Sequence, residues 1–431
     1  MYEFHPYYTN DGSVGLYNKS FNDIYHSATG ALTEAYEKFI MPIDFDLLMK
    51  KESIKVLDIC YGIGYNSKSF LNFIFENYIL KKFSIKNILT KKNIAQIYTD
   101  NNSINNKIQL GENINIYNEQ IHTYNTLPEI YIKAVDNDKN LSYLSPFIKT
   151  GQKFFKNRNL DFEYKNIEKY LKADNKILKH KINKIINYLI FEKLIENDSE
   201  ILENDEISNI LNSPKYSAYF DGNIKGIYNL YRNRLYKNTP LGFKAAFLHN
   251  IYYRHVSKCY KRVLKRYKLQ DIKFHVENDD ARNAIQNDNN LYNLIFLDAF
   301  TPSKCPCLWS YEFFKLLHSH LEEDGMILTY STSASIRSAM VEAGFSIGNI
   351  FNQRENKFNG TIAVKNKSLI KYPLSEFDLG LLKTTAGIFY RDESLTGLNE
   401  AIIEARNSEV KNSSRISSSH YKKEFNKEQI C

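Results

Sequence analysis

Residues 294–309 read LIFLDAFTPSKCPCLW. The apolar run Leu294-Ile295-Phe296-Leu297 ends at Asp298, and a loop with two prolines and two cysteines follows. An apolar run closed by an acid and turn formers suits the carboxyl end of a buried parallel strand. In open α/β sheets that end is where ligands bind. Three other stretches have the same form. IKVLDI (54–59) ends around Asp58 and leads into CYGIGYNSKSFLNFIF, a glycine turn passing into a helical pattern. EIYIKAVDND (129–138) and IKFHVENDDA (272–281) are strands that run into acids. Beyond the quoted stretch, SYEFFKLLHSHLEEDG predicts a helix stopped by Gly325, and MILTYS a fifth strand. SASIRSAMVEAGF predicts a further helix, capped by serine and ended by Gly344. Strands alternating with helices give a doubly wound, mostly parallel α/β sheet.

The alternation is interrupted, which sets the domain plan. Residues 1–45 form an N-terminal cap, with a turn at Asn10-Asp11-Gly12 and the amphipathic stretch LTEAYEKFIMPIDF. Residues 46–140 and 271–365 make the sheet domain, and 141–270 a mostly helical insertion. An Asn-rich stretch lies over 81–128, and residues 406–431 are a polar, Ser-rich tail expected to be mobile. Hydrophobic residues make up 43% of the 431 and charged ones 25%, the balance of an ordinary soluble globular protein. The net charge of +8 permits a nucleic-acid partner without demanding one. Five scattered cysteines are no disulfide framework, so a reducing cytoplasm is the expected setting. Cys305-Pro-Cys307 is too tight for the usual zinc spacing, and no metal site is expected. The polar N-terminus reads as no signal peptide, and no window approaches a membrane span.

The glycine turn carries the first chemistry. Gly62-x-Gly64 lies between a strand and a helix, where glycine lets the backbone approach a ligand. Alone it is weak evidence. It is joined by acids at successive strand ends: Asp58, then Asp136 or Asp138, then Asp279-Asp280, then Asp298. A nucleoside cofactor uses such a series, one carboxylate for the ribose hydroxyls and a later one for the adenine amine. Ser67 stands where a dinucleotide fingerprint needs its third glycine, which favours S-adenosylmethionine over NAD.

The stretch LDAFTPSKCPCLWSYEFF with GMILTYSTSASIRSAMVEAGFSI closely resembles the methyltransferase domain of the bacterial tRNA 5-methylaminomethyl-2-thiouridine biosynthesis enzymes, the MnmC family. That family carries Asp-Gly-Phe-Ala-Pro-x-Lys-x-Pro-x-x-Trp, and Asp298, Phe300, Pro302, Lys304, Pro306 and Trp309 fall on it in register. FNDIYHSATGALTEAYEKFI, including Glu34, resembles the family's N-terminal signature, and LDICYGIGYNS its glycine motif with Asn66 retained. GIFYRDESL resembles the C-terminal segment of stand-alone members, giving 366–405 as a family segment. Ala299, Cys305 and Cys307 depart from the pattern, and the insertion has no counterpart. The resemblance implies a Rossmann-like class I methyltransferase fold and S-adenosyl-L-methionine as methyl donor. It also implies methylation of the 5-aminomethyl group of a wobble uridine in tRNA. No second glycine fingerprint is present, so an FAD-dependent oxidase would act as a separate partner.

Given that chemistry, Asp298 is the candidate to accept the amine's proton and orient its nitrogen. Asp58, Gly62 and Gly64 would lie against the methionine part of the donor, Asp136 (or Asp138) at the ribose, and Asp280 at the adenine. Lys304 and Arg337 sit where a phosphate or the uracil edge could be met, and Trp309 either stacks on the uridine or packs beneath the loop. A separate nucleic-acid signal is YYRHVSKCYKRVLKRYK (252–268), which puts Val256, Cys259, Tyr260, Val263, Leu264 and Tyr267 on one helix face. Arg254, Lys258, Arg262 and three further cations fill the other, with no acid from 250 to 270. A second basic segment (153–184) is diluted by acids. The rival readings are an aminopropyltransferase resembling spermidine synthase, and a non-catalytic cofactor- or RNA-binding module.

Overall fold

The computed structural model describes residues 3–19, 23–24, 30–75, 78, 127–149, 175–235, 243–266, 268–352 and 355–428. Parts of the N-terminal signature, the Asn-rich stretch over 81–126, the basic residues 153–174 and Tyr267 lie outside them.

A small antiparallel sheet, β1 (Pro6–Tyr8), β2 (Val14–Asn18) and β3 (Asp23–Ile24), precedes helix α1 (Ala31–Ala35), which continues as a π-helical turn over Tyr36–Ile40. The main sheet follows. Its parallel strands are β4 (Ser53–Ile59), β5 (Glu129–Val135), β6 (Lys273–Glu277), β7 (Tyr292–Leu297) and β8 (Leu321–Thr329). Two further strands, β9 (Ser346–Asn352) and β10 (Lys357–Val364), close one edge antiparallel, giving the order β6-β5-β4-β7-β8-β10-β9. The chain leaves β4 toward β5 and β6, then returns to β7 on the other side. The crevice between the ends of β4 and β7 is therefore the topological switch point.

Both faces of the sheet are buried, so its strands read as continuous apolar runs rather than alternating ones. Leu294 and Phe296 point into one core, Ile295 and Leu297 into the other. The first core also contains Phe39 of the cap and Phe70 of helix α2 (65–75), whose rings meet Phe296 at 5.8 and 6.2 Å. It extends without a break into the insertion through Leu189, Phe191, Ile207 and Ile227. The insertion's helices thus pack on the sheet's own core.

Several sequence expectations shift here. The helix after the loop, Tyr311–Ser319, ends well before Gly325, and β8 begins at Leu321. The strand register jumps between Tyr292/Leu321 and Leu294/Met326, so the extra residues Glu322–Gly325 form an irregularity in β8 instead of a last helical turn. Gly344 does end the helix Ala334–Glu342, with φ 101°. The tail expected to be mobile is helical over Asn399–Asn412 and Ser418–Glu428, and Tyr421 and Phe425 stack against Phe377 at 5.8 and 5.1 Å. Among the described residues no helix is long and apolar enough to cross a membrane, and no group of three His, Cys, Asp or Glu side chains could hold a metal ion.

Candidate active site

The turn after β4 is built from left-handed backbone. Cys60, Gly62 and Gly64 have φ of 63°, 54° and 80°. Cys60 bears this strain with a side chain, a feature concentrated at functional sites. A Cβ on Gly64 would come within 2.4 Å of the Tyr61 ring, so this glycine is required by the turn's own packing. The Tyr61 hydroxyl pairs with Ser145 Oγ at 2.6 Å. Behind the turn, the buried ammonium of Lys68 donates to the carbonyls of Ile63 (2.8 Å) and Ser145 (2.6 Å), and burial pushes its pKa down to about 7. These bonds fix the loop from below and leave its upper side facing the switch crevice.

Three carboxylates, Asp58, Asp136 and Asp298, stand at the strand ends around that crevice. Asp58 is fully buried; one oxygen accepts from the amide and hydroxyl of Ser67 (3.1 and 2.6 Å) at the start of α2. Its other oxygen, Oδ1, finds no partner among the described residues, and neither does Oδ1 of Asn66. Asp136 accepts from the amides of Gly62 (2.7 Å) and Asp138 (2.8 Å), clamping the glycine turn to the end of β5. Asp138 is the N-cap of the helix Lys139–Leu144, accepting from Asn140 and Leu141 amides. Asp136, not Asp138, therefore faces the loop. At the tip of β7, Asp298 accepts a 3.0 Å hydrogen bond from the Asn66 amide.

Burial raises three of these acids. Asp298 is pushed up to about 7 by burial and by the charge of Glu34, against the Asn66 hydrogen bond and Lys38. Asp58 reaches about 7 for the same reason, with Asp298 adding repulsion that the Ser67 bonds oppose in part. Asp136 reaches about 6, again by burial. Pairs of titratable groups displaced toward neutrality in a crevice mark a functional site more often than a structural one. Asp280 behaves differently. It caps the helix Ala281–Gln286, and although burial would raise it, its bonds to Arg282 hold it below the usual carboxylate range. Arg282 also reaches Asp392 (2.7 Å) and the Gly397 carbonyl (3.0 Å), so the C-terminal segment fixes Asp280 from outside.

The remaining candidates divide. Trp309 is fully buried; its Nε1 donates to the Phe300 carbonyl at 2.8 Å and its ring meets Tyr330 edge-on. It packs beneath the loop and presents no face for a uridine to stack on. Arg337, read as a phosphate or uracil contact, is 4% exposed. Its guanidinium bonds Thr361 Oγ1 (3.0 Å) and Asn349 Oδ1 (2.6 Å) and lies 3.5 Å from Asp378. It ties the helix Ala334–Glu342 to β9 and β10. Burial of these two side chains is what overturns their assignment to substrate. Lys304 is half-buried on the loop, where Asn399 donates to its carbonyl. Cys305 and Cys307 line that loop with sulfurs 3.7 Å apart.

Arg254, Lys258 and Arg262 lie on the long helix Phe243–Arg266 of the insertion. All three are exposed and make no ion pair among the described residues, while Val256, Val263 and Leu264 turn inward. Among the adjacent cations, Lys261 is engaged by Glu192 at 2.8 Å. Asn66 was visible in the sequence only as part of a motif, and Lys68 not at all. A lysine inside an apolar helix pattern carries no signal that its ammonium is buried.

The site fits S-adenosyl-L-methionine. The unpartnered acceptors Asp58 Oδ1 and Asn66 Oδ1 beside a left-handed glycine turn suit an ammonium group, and Asp136 and Asp280 stand on successive strand ends for a nucleoside. The match to a family model agrees. Residues 244–366 match the family model described as S-adenosyl-L-methionine-dependent methyltransferase, a span that includes Asp280 and Asp298 and stops short of the glycine turn. An uncharacterized protein of Methanocaldococcus jannaschii is 33% identical over 131 residues, 30% of this chain and 36% of that one. The chain thus spans little more than a third of that relative's length. The crystal structure of MNMC2 from Aquifex aeolicus aligns over 96% of this chain and 87% of that one, at 17% identity and a TM-score of 0.49. From the strand order, the acidic switch-point crevice and the matched span, the chain carries a Rossmann-like S-adenosyl-L-methionine-dependent methyltransferase domain with S-adenosyl-L-methionine as its cofactor.

Proposed function

We propose that this protein methylates a primary amine, the 5-aminomethyl group of (2-thio)uridine at the wobble position of tRNA. The observation that carries the reading is Asp298: a carboxylate at the switch point, oriented by Asn66, with a pKa near 7. An alkylamine is mostly protonated at pH 7, and only its neutral form can attack. A carboxylate as basic as this takes the proton far more readily than an ordinary one. Asp298 accepts the proton from the ammonium and holds the nitrogen by the resulting hydrogen bond. The bound cofactor supplies an activated methyl group on a positively charged sulfur. Bound there, it would give its methyl to the nitrogen and keep the C–S electron pair on sulfur. The product nitrogen bears the positive charge until Asp298, once deprotonated to solvent, offsets it. Asp58, Asp136 and the Gly62–Gly64 turn hold the donor, and Asp280 its base.

The basic stripe supports tRNA as substrate carrier. Arg254, Lys258 and Arg262 repeat every four residues on one exposed helix face, and such a row suits phosphates. The experiment is incubation with labelled S-adenosyl-L-methionine and tRNA bearing 5-aminomethyl-2-thiouridine, followed by nucleoside mass spectrometry. A gain of one methyl group on the side-chain nitrogen is expected. A label on a ring atom, on ribose or nowhere would overturn the reading.

A further inference from the structure

The cap places an ion pair over the reacting carboxylate, and the amine chemistry above gives it no part. Glu34 lies in the first turn of α1 and Lys38 one turn later; their side chains pair, and only 20% and 16% of each is exposed. The helix is held firmly. Asp11 accepts from the Thr33 amide and hydroxyl, both at 2.8 Å, and Ser13 Oγ accepts from the amides of Ala31 and Leu32. Phe39, the residue after Lys38, packs on Phe296, two residues before Asp298. The Lys38 ammonium sits 5.3 Å over the Tyr330 ring, and the Tyr330 hydroxyl donates to the carbonyl of Ala299, the residue after Asp298. Phe39 and Lys38 thus reach a residue two before Asp298 and the aromatic ring that bonds its loop.

We propose that Glu34, clamped by Lys38, is a positioning residue for Asp298: its negative charge keeps that carboxyl a strong enough base to deprotonate an incoming ammonium, and Lys38 limits how far. The inference rests on the amine-methylation reading and names the group that tunes its base. The charged groups facing Asp298 are Glu34 and Lys38 from the cap and Asp58 from β4, with the Cys60 thiol beside them. Glu34 raises Asp298 and Lys38 lowers it, so the two side chains act in opposite directions. Among the described residues named here the negative side chains outnumber the positive, which suits a cationic nucleophile arriving beside a cationic donor. A purely structural ion pair would give the two variants the same effect.

The test follows Asp298 directly. The full chain is labelled with carboxyl-13C aspartate, the resonance is assigned by its loss in Asp298→Asn, and it is titrated in wild type, Glu34→Gln and Lys38→Met. Glu34→Gln is expected to lower the Asp298 midpoint by about one pH unit, roughly a tenfold loss of basicity for a unit charge removed at short range. Lys38→Met is expected to raise it, and the acid limb of kcat/KM should move with each. Unmoved midpoints, or movement in the same direction in both variants, would overturn the proposal. The titration needs no substrate, so it decides the role of Glu34 even if wild-type protein transfers no methyl group to aminomethyluridine, which would refute the functional reading instead.

Discussion

Replacing Asp298 by asparagine should slow turnover sharply and, at alkaline pH, make the protein more stable. The structure gives both the sign and the size. The carboxyl is held near 7 in the fold against an ordinary value of 3.8. A raised acid favours folding while protonated. Its contribution is complete below 3.8 and is lost as pH rises through 7, above which the fold carries a buried charge. Three decades at about 1.4 kcal/mol each give a ceiling of about 4 kcal/mol at pH 8.5. Asparagine keeps an acceptor for Asn66 and removes the charge, and it also relieves Asp58, which Asp298 repels. A net gain of about 2–4 kcal/mol is expected at pH 8.5, falling to about 1 kcal/mol at pH 4.5. For a chain of this length that is a rise in Tm of roughly 2–4 °C at the higher pH. Methyl transfer should fall by about 10²–10⁴-fold with donor affinity retained. Scanning calorimetry at both pH values, with single-turnover rates, checks it. A variant that melts lower than wild type at pH 8.5, or one that transfers methyl at the wild-type rate, would refute the reasoning.

Other perturbations separate structure from chemistry. Trp309→Ala should cost about 3–5 kcal/mol in stability, because it empties a fully buried site, while Trp309→Phe should leave KM for the RNA unchanged; denaturant melts and steady-state kinetics read both. Arg254→Ala/Lys258→Ala/Arg262→Ala should flatten the dependence of tRNA affinity on salt, lowering the slope of log K against log salt by about 2–3, as measured by filter binding at several ionic strengths. Gly64→Ala places a side chain at positive φ against Tyr61, so cofactor binding measured by calorimetry should be lost along with some stability.

The strands were legible because a sheet covered on both faces has no polar side to blur its apolar runs; Leu294–Leu297 and Val56–Ile59 show this. The acids were legible because Asp58, Asp136 and Asp298 stand at strand ends, where topology rather than detail puts them together. What local pattern could not carry is the destination of long polar side chains. Trp309 and Arg337 look like substrate contacts on a functional loop and helix, yet tertiary packing turned both inward onto Phe300 and Thr361. The segment Glu322–Gly325 has a helical composition, but the pairing of Leu321 and Met326 with β7 on either side of it carries it into β8 as an irregularity. The Ser-rich tail folds because Phe377, 44 and 48 residues away in sequence, offers Tyr421 and Phe425 an apolar surface. The Glu34–Lys38 pair has ordinary helical spacing, and only the packing of Phe39 on Phe296 reveals what it faces.

The most direct measurement is a crystal structure with sinefungin, a donor analogue bearing an amine where the transferable methyl would be. That amine should lie within about 3 Å of the Asp298 carboxylate, with the analogue's ammonium on Asp58 and Asn66. An analogue bound elsewhere, or with its amine directed away from residue 298, would contradict the account.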